Sequence, residues 1–113
     1  MGGSEREYFF VSPVGEAELA REKAKAREMR QSAWWKRRRS CGRCHYCGRA
    51  VPPRELTMDH VVPLIRGGKT VKSNLVPCCK ECNARKKYLL PLEWEEYLAR
   101  LAGGGGEEDP PET

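Results

Sequence analysis

The sequence predicts a small α+β fold in which two short strands and a helix lie between a long N-terminal helix and a shorter C-terminal one. Residues 16–39 are rich in Ala, Glu, Lys and Arg, which favour a helix. Two short apolar segments, 55–65 and 75–77, are joined through a Gly-Gly turn, and a helix-forming segment, 79–89, follows them. Two Cys-x-x-Cys pairs flank the apolar segments. One cross-link could therefore hold these elements together.

A chain of 113 residues has room for one folded domain, which we place at residues 41–90. An N-terminal arm and a basic helix with a thin apolar stripe precede it at residues 1–40. Residues 91–102 should form an amphipathic helix, because their large apolar side chains recur at helical spacing. Those side chains are Trp94, Tyr97, Leu98 and Leu101. Residues 103–113, glycines followed by an acidic tail with two prolines, are expected to be disordered.

The positive charges are concentrated in one part of the chain. The net charge is +5, yet residues 21–87 hold 19 Lys and Arg against five acidic residues. Such a field attracts a polyanion, because the phosphates that it neutralises release their counterions; a solvated basic surface is the alternative. No apolar segment approaches the roughly 20 residues of a membrane-spanning helix, and the sequence contains no secretory h-region. We therefore expect a cytoplasmic, nucleic-acid-binding protein with no membrane partner, as a monomer or a weak dimer.

The two Cys-x-x-Cys pairs, Cys44 with Cys47 and Cys79 with Cys82, are separated by 31 residues. A tight turn within each pair aims both thiolates at one point, and two such pairs complete a tetrahedral four-sulfur site. This closed geometry is typical of structural zinc. We therefore predict a zinc ion that clamps the first pair to the start of the helix at 79–89. Disulfides are the alternative, but the paired spacing and the absence of an export signal favour the metal.

Two further cysteines, Cys41 and Cys78, could shift the register of this site. Gly48 follows Cys47, where a turn that closes the first pair benefits from a glycine. Cys78 and Cys82 are separated by three residues, a poorer spacing for one metal-binding turn. We therefore leave both further cysteines outside the predicted zinc site.

Polar residues lie between the cysteine pairs and just after the second one: Asp59, His60, Asn74 and Asn83. Their order and spacing resemble the HNH endonuclease family in its four-cysteine form. The matching segments are Cys44-x-x-Cys47-Gly48, Met58-Asp59-His60-Val61-Val62-Pro63-Leu64, Gly67-Gly68, Ser73-Asn74-Leu75-Val76-Pro77 and Cys79-x-x-Cys82-Asn83-x-x-Lys86. The resemblance covers residues 41–90. It implies a ββα-metal fold, a DNA substrate, and products with 5′-phosphate and 3′-hydroxyl ends.

The chemistry of these side chains fits the same reaction. Hydrolysis of a phosphodiester requires an activated water and relief of the charge on the phosphate. A neutral imidazole takes a proton from water near pH 7, so His60 is the candidate general base. Asp59 and Asn83 offer oxygen ligands, which favour Mg²⁺ or Mn²⁺ as the catalytic cation. Many members of the family carry histidine at the position of Asn83, and this difference bears on the choice of metal.

The resemblance also implies a supporting role for Asn74. In that role its side chain braces the loop between the strands by hydrogen bonds and so orients His60. Without the surrounding pattern, Asn74 could simply cap a turn and Asn83 could cap a helix.

Basic residues that we expect to contact phosphates lie at the end of the N-terminal helix, in the turn between the strands and on the helix after the second cysteine pair. They are Lys36, Arg37, Arg38, Arg39, Arg66, Lys69, Arg85, Lys86 and Lys87. We predict a metal-dependent endonuclease that nicks double-stranded DNA, because one active site per chain cuts one strand at a time. The alternative is a zinc-stapled nucleic-acid-binding module without catalytic activity.

Overall fold

The computed structural model describes residues 14–104 and has the predicted α+β fold. Residues 1–13, which include the predicted N-terminal arm, and residues 105–113 of the predicted tail lie outside the described residues. The helices and strands are α1 Glu16–Arg30, α2 Ala33–Arg39, β1 Thr57–His60, β2 Leu75–Cys78, α3 Lys80–Lys86 and α4 Pro91–Ala99. A π-helical turn, Arg100–Gly104, extends α4. No helix within this described part combines the length and the apolar character needed to cross a membrane.

The N-terminal helix is divided in two, whereas the sequence predicted one helix over residues 16–39. Gln31 and Ser32 separate α1 from α2. The Ser32 hydroxyl accepts a hydrogen bond from the Trp35 amide (3.1 Å) and donates one to the Met29 carbonyl (2.7 Å). Serine side chains compete in this way with the helical backbone and favour a new helix start. After the break, α2 packs against β2 and Trp35 is only 2% exposed.

β1 and β2 form an antiparallel two-stranded sheet in which His60 is opposite Leu75. β1 is shorter than the strand predicted at 55–65, because 3-10 turns, Pro53–Glu55 and Leu64–Arg66, lie on either side of it. A proline opens each turn. Proline lacks the N–H group that a strand ladder needs, so the pairing stays short.

The loop between the strands turns at Gly67 and Gly68, as the sequence predicted. Gly67 ends the preceding 3-10 turn with a φ of +97°, a conformation that favours glycine. A Cβ atom at Gly68 would lie 1.7 Å from the carbonyl oxygen of Val62, so any side chain there would force the loop apart. The close approach of Gly68 to Val62 brings the loop back to the end of β1. There Thr70 and Asn74 make side-chain hydrogen bonds.

A hydrophobic core forms where α4 covers the cysteines. It comprises Cys44, Cys78, Cys79, Cys82 and Trp94, with Tyr46, Val51, Leu89 and Tyr97 packed against it. Trp94 stacks on Tyr97 at 5.4 Å and meets Tyr46 edge-to-face at 5.6 Å, which are favourable aromatic geometries. The predicted apolar face of α4 is used only in part, since Leu98 and Leu101 are 38% and 43% exposed.

Candidate zinc centre and active site

Four cysteine thiols converge where the first Cys-x-x-Cys turn meets the start of α3. The sulfur atoms of Cys44, Cys47, Cys79 and Cys82 all lie within 4.8 Å of one another, and the Sγ atoms of Cys47 and Cys79 are 3.9 Å apart. Tetrahedral zinc with Zn–S bonds of about 2.3 Å places its sulfur ligands about 3.8 Å apart. The predicted set of four is therefore the set that the fold brings together, and its geometry is compatible with zinc.

Backbone amides point at one thiol of each pair. In the first turn, the amides of Tyr46 and Cys47 approach Cys44 Sγ at 3.3 and 3.5 Å. In the second, the Cys82 amide approaches Cys79 Sγ at 3.4 Å. Burial disfavours a thiolate at Cys44, but amide hydrogen bonds outweigh it and lower the pKa of this thiol to about 6. Metals bind the thiolate form, so these turns favour the binding of a cation.

The two further cysteines lie outside the cluster. Cys41 is exposed, whereas Cys78 is completely buried. Burial raises the pKa of the Cys78 thiol, which stays protonated and donates to the Cys79 carbonyl at 3.3 Å. All six cysteines belong to the described residues and all are free. The convergence of four of these thiols on one point favours a metal over a disulfide framework.

Asp59 is buried in β1 and is held by the first cysteine turn. The Tyr46 hydroxyl donates a hydrogen bond of 2.6 Å to Asp59 Oδ2, and Lys86 Nζ lies 3.2 Å from the same oxygen. Tyr46 lies inside the Cys-x-x-Cys turn, so one hydrogen bond links the cysteine cluster to this carboxylate. Burial raises the pKa of Tyr46 most, and the hydrogen bond to Asp59 raises it further. The hydroxyl therefore remains protonated and continues to donate.

Lys86 is completely buried, which corrects the prediction that it contacts phosphates. Its side chain is 0% exposed, and its ammonium group donates to the carbonyl oxygens of His60 (3.3 Å) and Val61 (3.2 Å) as well as contacting Asp59. These three oxygens match the three N–H donors of lysine. Lys86 therefore ties α3 to the end of β1, and its charge is directed into the protein.

Asn83 lies in α3 and contacts the other end of β1. Its Nδ2 donates to Thr57 Oγ1 at 3.0 Å. Thr57 and Asp59 are two residues apart on the strand, so their side chains point to the same face. Asp59 and Asn83 therefore lie along one seam between β1 and α3. The residue that caps α3 is Cys79, so Asn83 does not have the capping role that was its alternative.

His60 points to the opposite face of β1 from Asp59, because neighbouring side chains alternate along a strand. Its Nε2 lies 3.0 Å from Thr70 Oγ1. Thr70 is anchored to α1: its hydroxyl donates to the Glu22 carbonyl at 2.9 Å and its amide donates to Glu22 Oε1 at 2.6 Å. Burial lowers the pKa of His60, so the ring is neutral at pH 7. Asn83 thus contacts β1 two residues before Asp59, whereas the His60 ring contacts Thr70 at the end of the strand.

Asn74 joins the two ends of the loop between the strands. Its Oδ1 accepts from the Val62 amide at 2.8 Å, and its Nδ2 donates to the carbonyl oxygens of Val62 (3.0 Å) and Lys69 (2.9 Å). These are the contacts that a brace beside His60 needs. An effect of this brace on catalysis is still a prediction.

The residues predicted to contact phosphates differ in their surroundings. Arg66 forms two hydrogen bonds of 3.1 Å with Glu93, and Lys69 pairs with Glu18. These two cations therefore attach the loop to α4 and α1. Arg85 pairs with Glu81 at 2.9 Å on its own helix. The side chains that remain at the surface or half-buried without such a pair in residues 14–104 are Lys36, Arg37, Arg38, Arg39 and Lys87.

A groove of about 450 Å³ lies beside β1 and contains cations from both N-terminal helices. Its lining residues are Arg30, Gln31, Trp35, Lys36, Arg39, Leu56, Thr57 and Met58. Met58 and His60 share one face of the strand. Burial is the main cause that lowers the pKa of His60, and the positive charge of Arg30 lowers it further. This basic groove therefore adjoins the candidate base.

The sequence did not predict the roles of Tyr46, Thr70 and Glu22. Tyr46 and Thr70 belong to no motif that would have identified them. Glu22 did carry a signal, because it lies on the thin apolar stripe of α1 between Leu19 and Ala26. An acid in such a place predicts burial with a hydrogen-bonding partner.

Residues 44–97 match the family model described as HNH endonuclease. The match includes the cysteine cluster, both strands, α3 and most of α4, and it begins after α2. It confirms the resemblance found in the sequence motifs. No curated protein matches the chain.

Proposed function

We propose, on the premise that residues 44–97 belong to the HNH endonuclease family, that the protein hydrolyses phosphodiester bonds of double-stranded DNA and nicks one strand at a time. One observation carries the proposal: the candidate base, His60, directly follows the candidate ligand Asp59 at the end of β1, and the second candidate ligand, Asn83, contacts the same strand from α3. A nucleic acid is the substrate class that the family implies. The alternative, a zinc-stapled binding module, would make no use of this arrangement.

His60 is the proposed general base. Burial lowers its pKa, so the neutral ring that can accept a proton prevails at pH 7. A water molecule would give a proton to His60 while its oxygen forms a bond to phosphorus. The bond from phosphorus to the 3′ oxygen would break, and that oxygen would take a proton from solvent. The products would be a 5′-phosphate and a 3′-hydroxyl.

Asp59 and Asn83 would hold Mg²⁺ or Mn²⁺ through a carboxylate and an amide oxygen, the donors that hard cations prefer. Tyr46 and Lys86 both contact Asp59 Oδ2, so they fix the carboxylate and leave Oδ1 for the cation. When bound, the cation supplies Lewis-acid stabilisation of the charge on the phosphate. The four clustered cysteines would hold zinc, whose role is structural.

The basic groove is the proposed path for the DNA backbone next to β1. Its cations, Arg30, Lys36 and Arg39, have no ion pair within the described residues, so their charge is free to meet phosphates. Arg37, Arg38 and Lys87 would extend this contact. Arg66, Lys69 and Arg85 are less suited to it because each is paired with an acid.

A supercoiled-plasmid assay tests the proposal. We expect Mg²⁺ or Mn²⁺ to permit conversion to the nicked form, and His60→Ala to lower the rate by about 10²- to 10⁴-fold, the usual contribution of a general base. His45 is exposed and is the only other histidine, so His45→Ala is the matched control and should cleave at the wild-type rate. The zinc content of both variants should be unchanged.

Three outcomes would count against the proposal. Equal cleavage by the wild type and His60→Ala would place the chemistry elsewhere. Linear product without a nicked precursor would refute nicking. DNA binding by the wild type without cleavage, in Mg²⁺ and in Mn²⁺, would favour the zinc-stapled binding module.

A further inference from the structure

We infer that Thr70 and Glu22 are positioning residues that fix the His60 ring as the tautomer with its proton on Nε2, so that Nδ1 is the atom that accepts a proton. The catalytic part of this inference rests on the proposed function, whereas the tautomer itself does not. Glu22 belongs to α1, which lies outside the family match at 44–97. The inference therefore assigns part of the active site to a helix that the family model does not include.

The hydrogen bonds of the Thr70 hydroxyl determine the direction of its contact with His60. A hydroxyl has one proton to donate, and Thr70 donates it to the Glu22 carbonyl at 2.9 Å. Towards His60 Nε2, at 3.0 Å, Thr70 Oγ1 can then act only as an acceptor. Nε2 must carry the proton of the neutral ring, which leaves the lone pair on Nδ1.

The Glu22 side chain holds Thr70 where this bond can form. Its Oε1 accepts the Thr70 amide at 2.6 Å, and its Oε2 pairs with Lys25 at 3.2 Å. Glu22 and Thr70 are both 5% exposed, so water does not replace these bonds easily. The backbone carbonyl and the carboxylate of one residue thus fix both the hydroxyl and the amide of Thr70. A glutamine at position 22 would keep the acceptor oxygen, whereas an alanine would remove it.

The Thr70 hydroxyl restricts both the rotation and the tautomer of the His60 ring. With Thr70 in place, the ring cannot rotate about its Cβ bond without losing the Nε2 contact, so Nδ1 keeps one direction. Without the hydroxyl, the ring can rotate and the proton can move to the other nitrogen. Small displacements of a reacting group are costly: a shift of 1 Å can lower a rate by about 100-fold.

¹⁵N NMR of the histidine rings tests the tautomer without DNA or a catalytic metal. The zinc-loaded, full-length chain is labelled with ¹⁵N-histidine, and His45 serves as an internal reference. We expect the wild-type His60 to be protonated on Nε2, and Thr70→Val to give a mixture of both tautomers. Thr70→Ser keeps the hydroxyl and should restore the wild-type spectrum.

Cleavage kinetics then test the positioning role. We expect Thr70→Val and Glu22→Ala to lower kcat by about 10- to 100-fold with little change in KM, while Thr70→Ser and Glu22→Gln stay near wild type. Glu28→Ala changes an exposed acid of the same helix and is the matched control. Thermal unfolding and zinc content verify that each variant is folded.

A His60 ring protonated on Nδ1 in the wild type would overturn the inference, and this measurement needs no variant. A spectrum and a kcat that Thr70→Val leaves unchanged would overturn it as well. Failure of the proposed function looks different: the wild type would not cleave DNA, while the Nε2-protonated ring and its dependence on Thr70 would still be observed.

Discussion

The two faces of β1 are supported by different parts of the molecule. Asp59 is held by Tyr46 from the cysteine turn and by Lys86 from α3, which both lie within the family match. His60 is held by Thr70, and Thr70 is anchored by Glu22 of α1. One face therefore depends on the cysteine cluster and a buried ion pair. The other depends on a relay of hydrogen bonds that begins in an accessory helix.

The two faces should therefore respond differently to substitution. A buried charge that loses its partner destabilises the fold strongly, so a change on the Asp59 side should act on stability first. The contact at His60 is a single bond between a hydroxyl and a neutral ring. A hydrogen bond of that kind contributes only about 0.5–1.5 kcal/mol to the net stability. A change on the His60 side should therefore act on the geometry of the ring and on the rate of cleavage. Three substitutions on the Asp59 side test this contrast.

The largest expected effect is that of removing the zinc ion that we propose for the four cysteines. Apparent zinc binding energies in small domains are about 10–16 kcal/mol, which is comparable with the whole stability of a domain. We expect Cys82→Ser, or a chelator, to unfold residues 41–90 and to abolish the circular dichroism of the strands and α3. Cys41 lies outside the cluster, so Cys41→Ser should unfold like the wild type. A Cys82→Ser protein with the wild-type melting temperature would contradict the structural role of the metal.

An intermediate effect is expected at the buried ion pair. Lys86→Met keeps the length of the side chain but leaves Asp59 buried without its cation. Breaking such a pair costs about 3–5 kcal/mol, measured by denaturant unfolding with zinc in excess. Lys87→Met, at the neighbouring exposed position, is the control and should change the free energy of unfolding by less than about 0.5 kcal/mol. Equal unfolding midpoints for the two variants would show that the Asp59 face does not depend on this pair.

The smallest effect on stability is expected at the hydrogen bond that links the first cysteine turn to Asp59. Tyr46→Phe removes one hydrogen bond to a charged group, which is worth about 1.5–3 kcal/mol. It should also weaken Mn²⁺ binding about 10-fold, measured by electron paramagnetic resonance, because the carboxylate loses its fixed orientation. Tyr97→Phe is the control, since Tyr97 stacks on Trp94 away from Asp59. Equal Mn²⁺ affinities of the wild type and Tyr46→Phe would show that the cysteine turn does not influence the proposed cation site at Asp59.

Local patterns predicted the fold class and the cysteine cluster well. A Cys-x-x-Cys turn needs only its own few residues to aim two thiols, so its function can be read from spacing. The long N-terminal helix was predicted too, but not its break, because composition over residues 16–39 favours helix throughout. The hydrogen bonds of Ser32 with Met29 and Trp35 decided the break.

The spacing of residues in the sequence was least able to predict which side chains are exposed. Lys86 follows Arg85 and precedes Lys87, and by composition the three are alike. The α-helix turns about 100° per residue, however, so three neighbours face three directions. Only the packing of α3 on β1 decides which of them is buried, and it buries Lys86 against Asp59.

Short motifs with a fixed spacing were enough to indicate the resemblance to the HNH endonuclease family, the cluster of four cysteines and the candidate residues Asp59, His60, Asn74 and Asn83. The tertiary structure decided which partners hold those residues. Glu22 and Thr70 are 48 positions apart in the chain and Tyr46 and Asp59 are 13 apart, and no local rule joins positions so distant. Contacts of this kind form only when helices and loops pack, and here that packing determines the surroundings of the candidate base.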